Sequence, residues 1–364
     1  MAKLWMSLVV LSVVAIGSAG CGSSNQPGTA TAPAGTAVSE PQRTTPDGSI
    51  SVSSDNFVRA ESDLYLGRVV RDGGFGKFYH TRELSPMNHQ VVVRQNRDTL
   101  YSAAVFDLQA GPVTISMPDP GDRFQSLQII TEDHYNPNVF YGKGDHTLDQ
   151  KTIGTRYVIA AVRTLVNPSD PADLGKVHAL QDAITVKQDH PGTFEVPRWD
   201  QASQTKVRDA LRVLASALPP DTKGMFGAGP ADVDPVRHLI GSASAWGGNR
   251  PKDATYLMVN PPKNDGNTVY RLTAKDVPVD GFWSVTVYNK DGYFTPNPQN
   301  AYSFNNLTAA KGPDGAVTIQ FGGCTPEVAN CLPITPGWNY TVRMYRPQQS
   351  ILDGTWTFPA AQPV

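Results

Sequence analysis

The sequence predicts an α+β protein with two β-rich lobes of antiparallel, sandwich-like sheets and a helical segment between them. Three observations lead there. Short period-two hydrophobic runs, parted by turns such as Asp119-Pro120-Gly121, fill the chain up to about residue 165 and return after residue 251. Between Pro171 and Trp246 the spacing is helical. The strands are grouped and do not alternate with helices, which favours antiparallel over parallel sheets.

Taken in order, residues 1–20 have the parts of a signal peptide: Lys3, an apolar run from Leu8 to Ile16, and small residues Gly17 to Gly20. The run is too short to span a membrane, which needs about 20 apolar residues. Small residues directly before Cys21 resemble a bacterial lipoprotein box, with Ser18 where the box usually has Leu. That resemblance implies acylation of Cys21 and a chain held to the membrane, outside the cytoplasm, by lipid. Residues 21–53 are rich in Gly, Ser, Thr, Pro and Ala, a composition unable to bury enough apolar surface to order itself, and read as a flexible tether.

The expected folded parts are an N-terminal β-rich domain at 54–165, a helical segment at 166–250 and a C-terminal β-rich domain at 251–364. Ser54-Asp55 ahead of Phe57, Val58, Ala60, Leu64, Tyr65 and Val69 predicts a capped helix ending at Gly73-Gly74. Strands follow at Val91 to Arg94, Leu100 to Leu108, Pro112 to Met117, Phe124 to Thr131 and Tyr157 to Val162. Helices are expected from Leu174 to Val186, Gln204 to Leu218 and Pro235 to Ala245. Strands return at Thr255 to Val259, Val269 to Thr273, Phe282 to Tyr288, Ala316 to Phe321 and Tyr340 to Tyr345.

A faint repeat links the halves. Asp122, Phe124, Ser126, Asp133 and Tyr135 recur 158 residues later as Asp280, Phe282, Ser284, Asp291 and Tyr293. Features present in both copies are then expected to serve the fold, and features present in one copy the function.

Charge and cysteines narrow the function. With 31 basic and 33 acidic residues and no basic stretch, nucleic acid is not an expected partner. Cys324 and Cys331 are close neighbours in a loop rich in Gly, Pro and Asn, which in an exported chain reads as a disulfide. The seven histidines are scattered, and no metal, phosphate-loop or nucleophile-elbow motif is present, so no metal or cofactor is expected.

Asn96-Arg97-Asp98-Thr99-Leu100-Tyr101-Ser102, with Asp107-Leu108, Gly111-Pro112, Pro118-Asp119 and Arg123-Phe124, resembles a bacterial domain of unknown function catalogued as number 1254. Phe282 to Tyr288, Asn297-Pro298, Leu332-Pro333 and Arg343-Met344-Tyr345-Arg346-Pro347 resemble its usual C-terminal companion, number 1214. The pair covers about residue 55 to Pro359 and implies a β-rich architecture with a helical insert, but no reaction. Where that family tends to have Asn-Trp-Leu-Pro, this chain has Asn330-Cys331-Leu332-Pro333.

Three groups carry candidate chemistry. Asn96, Arg97, Asp98 and Tyr101 open a strand, where Arg97 can clamp an anionic or hydroxylated ligand and Asp98 can act as a base; structural ion pairs or turn hydrogen bonds at the strand start are the alternative. Asp133, His134 and Tyr135 end a strand, with Asp133 or His134 as catalytic candidates and Tyr135 as a ligand contact; a solvated loop histidine is the alternative. Trp283 offers an aromatic face, set against a place in the core. The expectation is a membrane-anchored envelope protein binding a small polar or anionic ligand around Arg97. The alternative is a metal-independent hydrolase using Asp98 or Asp133.

Overall fold

The computed structural model describes residues 43–84, 87, 90, 93–219 and 221–364. The signal sequence, Cys21, most of the tether and part of the expected strand at Val91 to Arg94 lie outside them. Of that strand, Arg94 is in a turn with φ 53°.

From Gln42 onward the chain is one compact unit. Order begins ahead of the expected tether boundary. The Ile50 amide donates to the Arg198 carbonyl at 2.7 Å, and Val52 is buried against Phe57 and Ala60. The Ile50 backbone and the Val52 side chain hold this otherwise polar stretch to the domain.

The N-terminal lobe contains β1 (Thr99–Asp107), β2 (Val113–Met117), β3 (Gln125–Thr131), β4 (Val139–Tyr141), β5 (Gly144–Leu148) and β6 (Tyr157–Leu165). The C-terminal lobe contains β7 (Ala254–Val259), β8 (Tyr270–Ala274), β9 (Trp283–Tyr288), β10 (Ser303–Asn305), β11 (Val317–Phe321) and β12 (Asn339–Tyr345). Each strand of the first set has its counterpart six places later. One sheet runs β1-β6-β3-β4 and its counterpart β7-β12-β9-β10, while β2 pairs with β5 as β8 pairs with β11. All these pairings are antiparallel. The repeat glimpsed in five side chains is therefore a repeat of connectivity. Short extra strands differ: Tyr79–His80 extends the first sheet, Thr185–Lys187 pairs with β2, Cys331–Leu332 with β11 and Gln362–Pro363 with β8.

Alternation along each strand sends one set of side chains into its own sandwich. In the first lobe these are Ala104, Phe106, Val113, Ile115, Leu127, Ile129, Val158 and Val162. In the second they include Val285, Val287, Ile319, Phe321, Trp338 and Val342. Trp283 belongs to this second core, so the expected ligand contact is a packing residue; its ring meets Phe358. Cys324 and Cys331 are bonded to each other.

The helices α1 (Phe57–Arg71), α3 (Gln201–Ala215) and α4 (Pro235–Ser244) share one cluster around Phe57, Leu211, Phe226 and Ile240. α1 also covers the outer face of the first sheet, through Leu66 and Val69 against Val105, Ile130 and Ile159. Its N-cap is Asn56, not the expected Ser54-Asp55, and no side chain caps it. A fourth helix, α2 (Pro171–Asp182), stops short of the expected Val186, because Thr185–Lys187 pairs with β2. The helical residues thus extend the N-terminal lobe.

Candidate functional site

The outer faces of the two large sheets meet, and matching rows of side chains cross them. In the first sheet Tyr101, Arg163, Ser126 and Tyr141 are paired in register across β1, β6, β3 and β4. In the second, Tyr256, Arg343, Ser284 and Asn305 are paired across β7, β12, β9 and β10. These positions point away from the apolar cores, so both rows lie where the lobes meet.

Each arginine reaches into the other half's lead-in segment. Arg343 Nη2 donates to the Arg94 carbonyl at 2.8 Å and Nη1 to Thr286 Oγ1 at 2.9 Å. Arg163 Nη2 donates to the Gly247 carbonyl at 3.3 Å and Nη1 to Gln128 Oε1. Arg94 precedes Asn96 by two residues, and Gly247 precedes Asn249 by two. Asn96 Nδ2 donates to the Tyr101 hydroxyl at 3.2 Å, and Asn249 Nδ2 to the Tyr256 hydroxyl at 3.0 Å. The aspartates cross in the same way. Asp98 Oδ1 accepts from Asn305 Nδ2 at 3.1 Å, while Asp253 Oδ1 accepts from the Tyr141 hydroxyl at 3.0 Å.

By this reciprocity Asn96-Arg97-Asp98 has a copy in the second lobe, one that the five side chains repeated in sequence did not include. Its copy is Asn249-Arg250 and Asp253, with Pro251-Lys252 inserted, which breaks the match in sequence. Asp98 is 2 % exposed and also accepts from Ser303 Oγ at 2.9 Å, so it ties the lobes together. Arg97 is half-buried, its guanidinium carbon 5.3 Å from the Tyr302 ring centre and 5.8 Å from that of Phe294. It does not share the Arg163 site with Asn96 and Tyr101.

The second group is also placed differently than expected. β3 ends in a turn in which the Thr131 amide donates to the Tyr135 carbonyl, as the Asn289 amide does to Tyr293 after β9. His134 takes the position of Gly292, and both have positive φ, 62° and 82°. A histidine here accepts strain that glycine avoids. It is completely buried: Nε2 accepts from the Gly247 amide at 2.8 Å, so Nδ1 carries the proton donated to Ser242 Oγ at 2.8 Å. With both nitrogens engaged, His134 anchors the helical cover and is not available as a base. Asp133 pairs with Arg59, whose Nε donates at 3.1 Å, and Tyr135 stacks on His238 with ring centres 4.8 Å apart.

Burial, with a smaller contribution from nearby His238, pushes the His134 pKa down to about 3. Below about pH 6.5 the unfolded chain takes up a proton that the folded imidazole refuses. This contribution is full above that pH and is lost as pH falls toward 3. Asp63, pushed up to about 7 by burial, acts oppositely, losing stability as pH rises from 3.8 toward 7. The two separate when wild type is compared with His134→Gly, the residue of the other lobe. The stability gap between them should narrow by about 1.4 kcal/mol per pH unit as pH falls below 6.5. Denaturant midpoints across that range test this, and a gap independent of pH would be the contrary result.

Where the matched rows differ, a candidate site appears. Beside Arg343, the next row carries Thr341 and Met258; beside Arg163, it carries Ala161 and Ala103. Thr341 is buried, but Ala161, in mid-sheet, is only half-buried, as are Ala103, Tyr101 and Arg163. Arg343 also donates to the Tyr288 hydroxyl at 2.7 Å; the matching position in the first lobe is Ile130, which offers no acceptor. Among the described residues neither arginine has a carboxylate within 4.0 Å, but only Arg163 lies in an incompletely covered recess.

Three phenols surround Arg163: Tyr101, Tyr256 and Tyr345. Asn96 Nδ2 donates to both Tyr101 and Tyr345 hydroxyls, each at 3.2 Å. Burial raises the Tyr101 pKa, but Arg163 and hydrogen bonds from Thr99 and Asn96 outweigh it and leave the phenol below its usual range. Burial, then Tyr256 and Tyr101, hold Tyr345 well above it. Asn96 and Tyr101 were legible beforehand; Arg163, Tyr256 and Tyr345 were not. The signal for Arg163 was its match to Arg343, hidden because they are 180 residues apart where the five repeat members seen in sequence are 158 apart. Among the described residues no cluster of three or more His, Cys, Asp or Glu is placed to hold a metal.

Comparison with known proteins finds one family model within each lobe. Residues 75–152 match the model of a protein of unknown function, DUF1254, and residues 260–349 that of another, DUF1214. Among solved structures, the VPA0106 protein from Vibrio parahaemolyticus is 18 % identical, with a TM-score of 0.63 over 84 % of this chain and 96 % of that one. An uncharacterized protein from Burkholderia cenocepacia is 13 % identical, with a TM-score of 0.47 over 85 % and 95 %. The first of these shares the fold. No curated protein matches.

Proposed function

We propose that this chain, which joins the two domains in that order, is a membrane-anchored envelope protein that binds a small anionic ligand at Arg163. One observation carries the reading. Of two matched arginines, one is sealed by its neighbours and the other lies over an alanine floor among three phenols. A guanidinium with hydroxyl donors beside it suits a carboxylate, sulfate or phosphate. Tyr256 and Tyr345 supply further polar contacts, and Asn96 holds the Tyr345 hydroxyl in place. Hydrolysis with Asp98 or Asp133 as base gains no support, since Asp98 is sealed between the lobes and Asp133 is ion-paired away from the recess.

The test is thermal unfolding with phosphate, sulfate, citrate and galacturonate. A ligand at 100 times its Kd stabilises by about 2.7 kcal/mol. At least one anion should raise the melting temperature of wild type and fail to do so for Arg163→Met. No shift with any of them counts against the reading.

The anchor is proposed from the small residues before Cys21. Cys21→Ala should move the protein from the membrane to the soluble fraction. A variant that sediments with membranes as wild type does would place the attachment elsewhere.

A further inference from the structure

We propose that the Arg163 recess is catalytic, and that Tyr101 and Tyr345 act there as base and acid in β-elimination from an alkoxy carboxylate of the uronate class. This rests on the anion-binding reading above. The geometric ground is that both phenolic oxygens lie 3.2 Å from one nitrogen, Asn96 Nδ2. Asn96 is itself held, its Oδ1 accepting the Asp98 amide at 2.8 Å. Two hydroxyls are thus fixed side by side next to Arg163, a cation that can hold a carboxylate.

Their surroundings divide the roles. Tyr101 on β1 has the Arg163 guanidinium carbon 5.4 Å from its ring centre, and Arg163 and two hydrogen-bonding neighbours favour its ionised form. Tyr345 on β12 faces Tyr101, Tyr256, Arg163 and Arg343, and burial keeps it protonated.

The step balances without a cofactor. Arg163 binds the carboxylate and stabilises charge that spreads onto it when the adjacent carbon loses its proton. The Tyr101 phenolate takes that proton. The C–H electron pair becomes the new C=C bond as the C–O bond one carbon further breaks, and the departing oxygen takes the Tyr345 proton. The products are an α,β-unsaturated carboxylate and an alcohol. Proton return from Tyr101 to Tyr345 restores the pair.

Oligogalacturonate, oligoalginate and hyaluronan fragments are the probes, followed by thermal shift and by ultraviolet absorbance of the conjugated double bond. The expected result is a probe that raises the melting temperature and yields unsaturated product. Tyr101→Phe should keep the thermal shift and lose at least 100-fold in rate. Spectrophotometric titration gives a second readout: wild type should show a phenol ionising below the usual range that Tyr101→Phe lacks. A probe that binds without forming product overturns the catalytic proposal and leaves anion binding standing. If no uronate binds, the substrate class is wrong and the proposal fails, while the inorganic anions and citrate still judge the binding reading. An unchanged phenol titration in Tyr101→Phe also overturns it.

Discussion

Asp98→Ala is expected to lower the melting temperature by on the order of 10 °C, the largest stability effect of any polar substitution at the lobe junction. The carboxylate is 2 % exposed and accepts from Ser303 and Asn305 of the second lobe. It also lies close enough to Arg343 to help hold that guanidinium charged. Removing it leaves the buried Asn305 amide without this acceptor, takes one of two bonds from Ser303 Oγ, which also meets Thr286 Oγ1, and deprives buried Arg343 of a nearby negative charge. Breaking a buried charged contact of this kind costs about 3–5 kcal/mol. For large domains each kcal/mol corresponds to about 2–4 °C. Asp98→Asn retains an oxygen to accept those bonds and should lose less. Thermal melts of both variants decide the matter. A variant that melts like wild type but no longer binds any anion would restore Asp98 to the role expected of it from sequence.

Substitution of Arg163 should instead act first on binding. Hydrogen bonds to a charged group contribute about 1.5–3 kcal/mol, so Arg163→Met should weaken anion affinity by about 10- to 150-fold. Some stability is also lost, since Gln128 Oε1 and the Gly247 carbonyl lose a donor. Arg163→Lys keeps the charge without the planar fork and should recover only part of the affinity. The matched Arg343 provides the comparison. Its donors are occupied by Thr286, Tyr288 and the Arg94 carbonyl, so Arg343→Lys should lower the melting temperature. Calorimetric titration with the best anion of the panel, alongside melts of both lysine variants, checks the contrast. If the two arginine substitutions weaken binding and stability alike, the recess has no special role.

The sequence by itself determined the class of fold and the positions of its long strands. Period-two runs such as Leu100 to Leu108 and Phe282 to Tyr288 match the strands Thr99–Asp107 and Trp283–Tyr288 within a residue at each end. Strand alternation is a local property, written in consecutive side chains, so it survives without knowledge of partners. The close cysteine pair was legible for a similar reason. Short strands such as Val139–Tyr141 and Ser303–Asn305 were not, because three residues hold no readable period.

Only the tertiary structure decided what the polar residues do. Asn96 and Tyr101 were visible as candidates, yet register in the first sheet sets Arg163 beside Tyr101, and only the packing of the second sheet against it brings in Tyr345. The same register revealed that Asp98 has a counterpart in Asp253, behind a two-residue insertion. Whether an arginine is sealed or reachable depends on what packs over it. For Arg163 that is two alanines, a helical cover and the opposing lobe, and no neighbour in sequence announces all three. Burial and pairing are sums over distant contacts, and the chain records them only once it has folded.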